Sequence, residues 1–377
     1  MNQGFYLTLL VGPVVAVPAP QVVMDDLTSV QVTTTAESRT PSGFQLTFNL
    51  SNRSPLHTLF LLAGGSVPPV LRVILVATID GTPEVLIDGV ITRQDVSPGS
   101  TAGMSTLTVT GVDLTAVMNW IDFSGFPFPA MPAEARVLLM IAKYAMFGII
   151  PLVVPSVLLD VPIPTKEIPR QKGTDLRYIQ ELADDVGYVF YLKPGPAPGT
   201  NVAYWGPEIK VGVPQRALNT NMDAETNVES LTFNFNAESA TLPVLLIYNQ
   251  ETKAPIPIPI PDITPLNPPL GLVPPLPKNI EWIEGTGKYG PVRAALIGLA
   301  KAARSADAVS GSGTLDVLRY GRPLRARELV GVRGAGPAFD GLHYVKSVTH
   351  NIKRGEYKQS FTLARNGLIS TLPTVPA

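Results

Sequence analysis

Apolar and polar side chains alternate in short runs over the first 112 residues. Phe5–Val11, Ser29–Ala36, Phe44–Leu50, Leu71–Ala77, Val85–Asp95 and Met104–Thr110 are rich in β-branched and aromatic residues, the composition that suits a pleated, half-buried surface. Clusters of Pro, Gly, Asn and Ser separate them, as in a sandwich or barrel. Thr106-Leu107-Thr108-Val109-Thr110 alternates residue by residue and predicts a strand with one buried face.

From Val112 the period becomes helical. Asp113 can cap a short helix running to Trp120. Pro132 suits a first helical turn, with Val137, Met140, Ile141, Tyr144 and Phe147 on one stripe and Gly148 as the stop. The clearest helix starts at Thr174, buries Leu176, Ile179, Leu182 and Val186, and ends at Gly187. Strands follow at Tyr188–Leu192 and Val202–Trp205, then at Asn227–Asn236 and Val244–Tyr248. This middle region reads as a mixed α/β unit inserted into, or packed upon, the first β-domain.

Residues 254–277 hold ten prolines. Such a segment is expected outside any sheet or helix, as an extended polyproline-like strap. It is a stiff spacer or, given Ile256, Ile258 and Ile260 between its prolines, an apolar arm that docks on a neighbouring chain. Beyond it Pro291–Arg304 reads as an alanine-rich helix, and Gly311–Arg319, Glu328–Arg333, Leu342–Ile352 and Tyr357–Ala364 as strands. Asp88-Gly89-Val90-Ile91 and Asp340-Gly341-Leu342-His343 each open a hairpin-like stretch, so two related barrels are expected. The fold expected is mainly β with an α/β insertion. Residues 1–115 form a first barrel completed by about 220–250, and 116–220 the inserted α/β domain. Residues 251–290 are the strap, and 291–377 a second, basic barrel.

Composition sharpens this. Charged residues are 16% of the chain, below the roughly 25% of a typical soluble domain. Either the core is very large or partners cover much of the surface. The apolar start, Phe5 to Val17, has no basic residue before Arg39, unlike the n-region of a signal peptide. Tyr144–Leu159 is broken by Gly148, Pro151 and Pro155, so no membrane insertion is expected. The net charge of −1 hides an asymmetry. Residues 1–160 carry 6 basic and 11 acidic side chains, residues 161–290 carry 10 and 14, and residues 291–377 carry 13 and 5. The basic last quarter either meets an acidic partner or compensates the acidic body of its own chain.

Catalytic chemistry has little material. There is no cysteine and there are three histidines, His57, His343 and His350, which leaves no thiol chemistry and few metal ligands. His343 and His350 are seven apart in a predicted strand, an odd spacing that puts them on opposite faces. Gly285-Thr286-Gly287-Lys288 is followed by Tyr289, where a phosphate loop needs Ser or Thr. Glu181, Asp184 and Asp185 lie on the solvent side of a helix rather than across a cleft. Arg319, Arg322, Arg325 and Arg327 with Lys353 and Arg354 are the concentrated charge feature. They lack the interleaved aromatics of a single-strand platform, so protein contact is expected and no specific nucleic acid. No enzyme activity and no cofactor are expected. A rival reading is a secreted carbohydrate-binding or cell-wall-hydrolysing β-protein, but the missing n-region and 7% aromatic content count against it.

Several stretches are similar to the baseplate hub proteins of contractile injection systems. These include the phage late-control D type and the hub portion of the valine-glycine-repeat spike proteins of type VI secretion. Lys172-Gly173-Thr174-Asp175-Leu176-Arg177-Tyr178-Ile179-Gln180-Glu181-Leu182-Ala183, continuing to Tyr191, resembles that family's Thr-Asp-Leu helix, acidic pair, Gly and aromatic strand. Ser105–Leu114 resembles its strand leading into a Gly-x-Asp-Leu helix start, and Gly341–His350 with Gly355-Glu356-Tyr357 and Phe361-Thr362-Leu363 its last hairpin. The resemblance spans roughly residues 80–115, 170–250 and 310–367. It implies a homotrimer of two-barrel subunits, a pseudo-sixfold adaptor in the baseplate of a phage tail or injection particle. The partners implied are an inner tube protein, a three-fold spike and other baseplate subunits, with assembly in the bacterial cytoplasm. The chain ends at residue 377 without a spike, so the spike is expected to be separate, and the proline-rich strap departs from the family pattern.

Overall fold

A computed structural model describes residues 4–51, 54, 56, 60, 71–99, 104–156, 161–165, 168–238, 241–248, 255–260, 267–283, 291–305 and 307–372. From the N-terminus run β1 (Phe5–Gly12), β2 (Val17–Pro18), α1 (Gln21–Asp26), β3 (Leu27–Thr35), β4 (Gly43–Ser51), β5 (Arg72–Ile79), β6 (Thr82–Pro98) and β7 (Met104–Asp113). Next come α2 (Thr115–Met118), α3 (Ala133–Ala142), β8 (Ile149–Val153), α4 (Asp175–Asp184), β9 (Val189–Pro194) and β10 (Asn201–Gly206). Then follow β11 (Gln215–Asn219), β12 (Val228–Phe235), β13 (Thr241–Tyr248), β14 (Pro255–Pro259), β15 (Gly271–Val273), β16 (Asn279–Ile283) and α5 (Pro291–Ser305). The chain closes with β17 (Val309–Asp316), α6 (Val317–Tyr320), β18 (Leu329–Arg333), β19 (Gly341–Lys353), β20 (Glu356–Arg365) and β21 (Leu368–Ser370).

The architecture is mainly β, as the alternation predicts. One large sheet runs β12-β17-β20-β19-β3-β4-β7-β6-β5-β1-β2, with β18 and β11 branching from β19. The two halves of the chain are therefore joined rather than separate. The joint is β19, which pairs β18 through Gly341–Tyr344 and then β3 through Ser347–Lys353. A register shift between Val345 and Ser347 bends the strand between these partners. Leu9, Leu46, Phe48 and Leu107 of one half and Leu315, Val348, Tyr357 and Phe361 of the other belong to one core. Among the described residues no ladder closes either half into a ring. The hairpins β6–β7 and β19–β20, where the sequence echo lies, are both antiparallel with a bulge.

A second core lies beneath the small sheet β8-β10-β9. Met118, Phe128, Ile141, Ile179 and Trp205 fill it. Thr174 caps α4 by accepting from the Arg177 amide at 3.3 Å, and Ile179 and Leu182 are buried. Gly187 ends the turn at φ +73° and touches α5, where a side chain would meet the Leu296 carbonyl. Glycine is required there for both reasons. This layer is pinned to the large sheet by Arg72. It grips Asp88 with Nε at 2.7 Å and Nη2 at 2.6 Å, and also donates to the carbonyls of Val14, Phe147 and Gly199.

The strap departs from the polyproline expectation. Pro255–Pro259 is not a free polyproline segment but a β-strand, pairing antiparallel with β13 in the sheet β14-β13-β16. Prolines at every second position place the missing N–H groups on one edge, so β14 is tolerated only as an edge strand. The Ile parity supplies the donors: the Ile260 amide bonds the Pro243 carbonyl at 2.9 Å. Ile260 is buried against Ala294 and Ala302 of α5, so its apolar surface is covered within its own chain. The side chains of Ile256 and Ile258 lie outside the described residues, as do His57 and 284–290. Further along, Leu270 is buried beside Leu329, Leu342 and Tyr344, and β15 pairs with β21.

Candidate protein-contact surfaces

The six basic residues singled out in the sequence do not form one patch. Arg325 is ion-paired at 2.6 Å to Glu84, near the start of β6. Arg327 has φ +67° and stacks 3.9 Å above the Tyr191 ring. It also donates to the Ala36 carbonyl at 3.3 Å while its amide bonds Val345. It thus staples β9, the end of β3 and β19 inside one chain, and burial weakens its hold on its proton. Arg354 donates to the Asp25 carbonyl. Arg322 and Lys353 are exposed.

Arg319 is placed differently. Asp316 caps α6 by accepting from the amides of Leu318 and Arg319, and the exposed Arg319 side chain faces a concavity of about 450 Å³. Arg216 of β11 and Arg333 of β18 line the same concavity. The parallel pairing of β11 with β18, which sets Asn219 opposite Arg333, brings these distant arginines together. Tyr320 and Arg216 lock each other: the Tyr320 hydroxyl donates to the Arg216 carbonyl, and Arg216 Nη1 donates to the Tyr320 carbonyl. Sequence reasoning found Arg319 but missed Arg216 and Arg333, because a parallel pairing across 115 residues leaves no local signal.

The loop bearing Arg322–Arg327 is held from below. Gln359 makes a two-way clamp on Leu324, accepting from its amide at 2.8 Å and donating to its carbonyl at 2.9 Å. Beside it His350 shares a hydrogen bond with Tyr357, and burial brings the His350 pKa down to about 4. His343 lies against Phe233, which stacks on Phe339, and burial chiefly brings its pKa down to about 3. Both rings are neutral at pH 7. The two histidines do not lie on opposite faces as their odd spacing predicts, because the register shift between Val345 and Ser347 reverses the alternation. Val345, Val348 and Ile352 consequently join one core, which puts His343 and His350 on the same face. Seven residues of strand, roughly 23 Å, still separate them. Among the described residues no group of three His, Cys, Asp or Glu is arranged to hold a metal ion, and no helix is long and apolar enough to cross a membrane.

Asp184 forms an exposed ion pair with Arg39, and Glu181 with Arg177 on the same helix.

No family model matches the chain, and no curated protein matches it. Solved structures do match over nearly the whole length. A tail protein from Neisseria meningitidis superposes with a TM-score of 0.62 at 14% identity, covering 97% of this chain and 98% of its own. The 43 kDa tail protein of prophage MuSo2 from Shewanella oneidensis gives 0.61 at 14%, covering 96% and 99%. An E. coli protein described as a type VI secretion component with structural similarity to the T4 tail proteins gp27 and gp5 gives 0.51 at 12%, covering 93% and 78%. The chain has the fold of these phage-tail and secretion proteins.

Proposed function

We propose that the chain is a structural baseplate hub, a homotrimeric adaptor between a hexameric inner tube and a separate three-fold spike. What carries the reading is the two-way coverage: the tail proteins from Neisseria and Shewanella match from end to end, with little of either chain left over. Two β-halves fused through β3 and β19 suit such an adaptor, since three copies would present six halves to a hexameric tube. A hub of this kind works by shape and by covering its subunits' surfaces, and its residence is the virion tail or injection-particle baseplate. It uses no cofactor and turns over no substrate.

Electron microscopy of the purified full-length chain tests this. Three-fold particles carrying a pseudo-sixfold ring, which bind the tube and spike proteins made by the same genetic element, are the expected result. Monomers that bind neither would reject the hub.

A further inference from the structure

We propose that the concavity of Arg216, Arg319 and Arg333 is a docking site for side-chain carboxylates of a second copy of this chain. The inference rests on the homotrimeric reading above and names a contact that builds it.

The site is partly pre-organised. The Asp316 cap of α6 fixes the backbone of Arg319, the β11–β18 ladder fixes that of Arg333, and the Arg216 guanidinium is itself held by the Tyr320 carbonyl. The rigid backbone sets where the three side chains start, and the planar guanidinium fork suits a carboxylate. Among the described residues neither Arg319 nor Arg333 makes an ion pair, although Arg325 and Lys358 on the same half do. Glu225 also lines the concavity, and one carboxylate against three guanidiniums leaves a positive excess.

The chain carries a complement to that excess. Asp25, Glu37, Asp80 and Asp122 of the first half are exposed, whereas residues 291–377 hold 13 basic side chains against 5 acidic. A closed three-fold ring requires head-to-tail contacts in which two different patches meet. An acidic body and a basic concavity on one chain satisfy that requirement and disfavour like-to-like pairing. Among the described residues the lining includes no aromatic side chain, unlike a platform on which bases stack.

The test uses the full-length chain, with its mass distribution measured by sedimentation from low to high salt. The wild type should be a trimer whose association weakens as salt rises. The R319E/R333E double variant should associate about ten-fold or more weakly while its far-UV circular dichroism matches that of the wild type. The charge-keeping R319K/R333K variant should remain trimeric. Carbodiimide treatment of R319K, with the two copies isotopically distinguished, should couple the new amine to an Asp or Glu of the other copy. If R319E/R333E assembles with the wild-type salt profile, this docking site is wrong and the trimeric hub stands. A wild type that stays monomeric at all salts overturns both. If the reversal leaves the trimer intact and removes binding to a duplex DNA probe, the concavity is a nucleic-acid site and the proposal fails.

Discussion

Arg72 and Arg365 are both buried, at 3% and 1% exposure, yet the protein accommodates them in opposite ways. Arg72 meets a carboxylate, Asp88, which also accepts from Asn201 at 2.7 Å. Among the described residues Arg365 meets backbone carbonyls alone as hydrogen-bond partners: Ala338, Phe339, Asp340 and Gly367. Burial lowers its pKa to about 10, against the opposing pull of Asp340, so it stays charged at neutral pH. The two sites fall at the sequence echo, Asp88-Gly89 and Asp340-Gly341. In the first copy the acid's side chain takes the arginine, and in the second its carbonyl does. The paired charge ties segments from residues 14 to 201 and so joins the α/β layer to the sheet. The carbonyl cage acts locally, fixing the turn before β19 and the chain leaving β20.

Breaking the first site should have the largest effect. Asp88→Ala leaves Arg72 charged, buried and without its counter-ion, which costs about 3–5 kcal/mol. Because Arg72 also bonds Phe147 and Gly199, the damage should spread into the α/β layer. Denaturant unfolding monitored by tryptophan fluorescence should show the midpoint falling. A loss under about 1 kcal/mol would mean the pair is not what fastens the two layers.

Arg365→Met should cost less, about 2–3 kcal/mol, since it leaves carbonyls without donors but strands no charge. Its signature should be local. The Ile369 amide bonds the Ala338 carbonyl, so its hydrogen exchange should accelerate while amides in β6 and β7 keep wild-type protection. Uniform acceleration throughout the large sheet would show that the cage supports the whole fold.

These two sites also mark the limit of what the sequence makes legible. The strands of the large sheet are readable because their alternation sets one face into a core. The α4 helix is readable because cap, stripe and stop coincide within 14 residues. A lone Arg72 in Leu71–Ala77 and a lone Asp88 in Val85–Ile91 were signals of a buried pair, since an isolated charge inside an apolar run demands a partner. β14 was hidden because alternating prolines look forbidding until their parity is counted. β8, with Pro151, and β11, only five residues long, were hidden by weak local preference and are made by pairing with distant strands. The concavity shares that cause. No window of sequence contains residues 216, 319 and 333, so only the β11–β18 pairing reveals it.

The smallest effect is expected at Arg325, which resembles Arg319 in sequence but not in setting. Its side chain is half-exposed and its ion pair with Glu84 bridges the two β-halves. Exposed pairs of this kind contribute about 0.2–1 kcal/mol, because water screens the attraction and two side chains must be ordered. The Arg325 backbone is held separately, its amide donating to Gln215 Oε1 and its carbonyl accepting from Gln215 Nε2. Arg325→Ala should therefore leave the loop in place. In a double-mutant cycle with Glu84→Ala, the coupling energy should stay below about 1 kcal/mol. A coupling above about 2 kcal/mol would mean that this surface pair, and not only β3 against β19, holds the halves together.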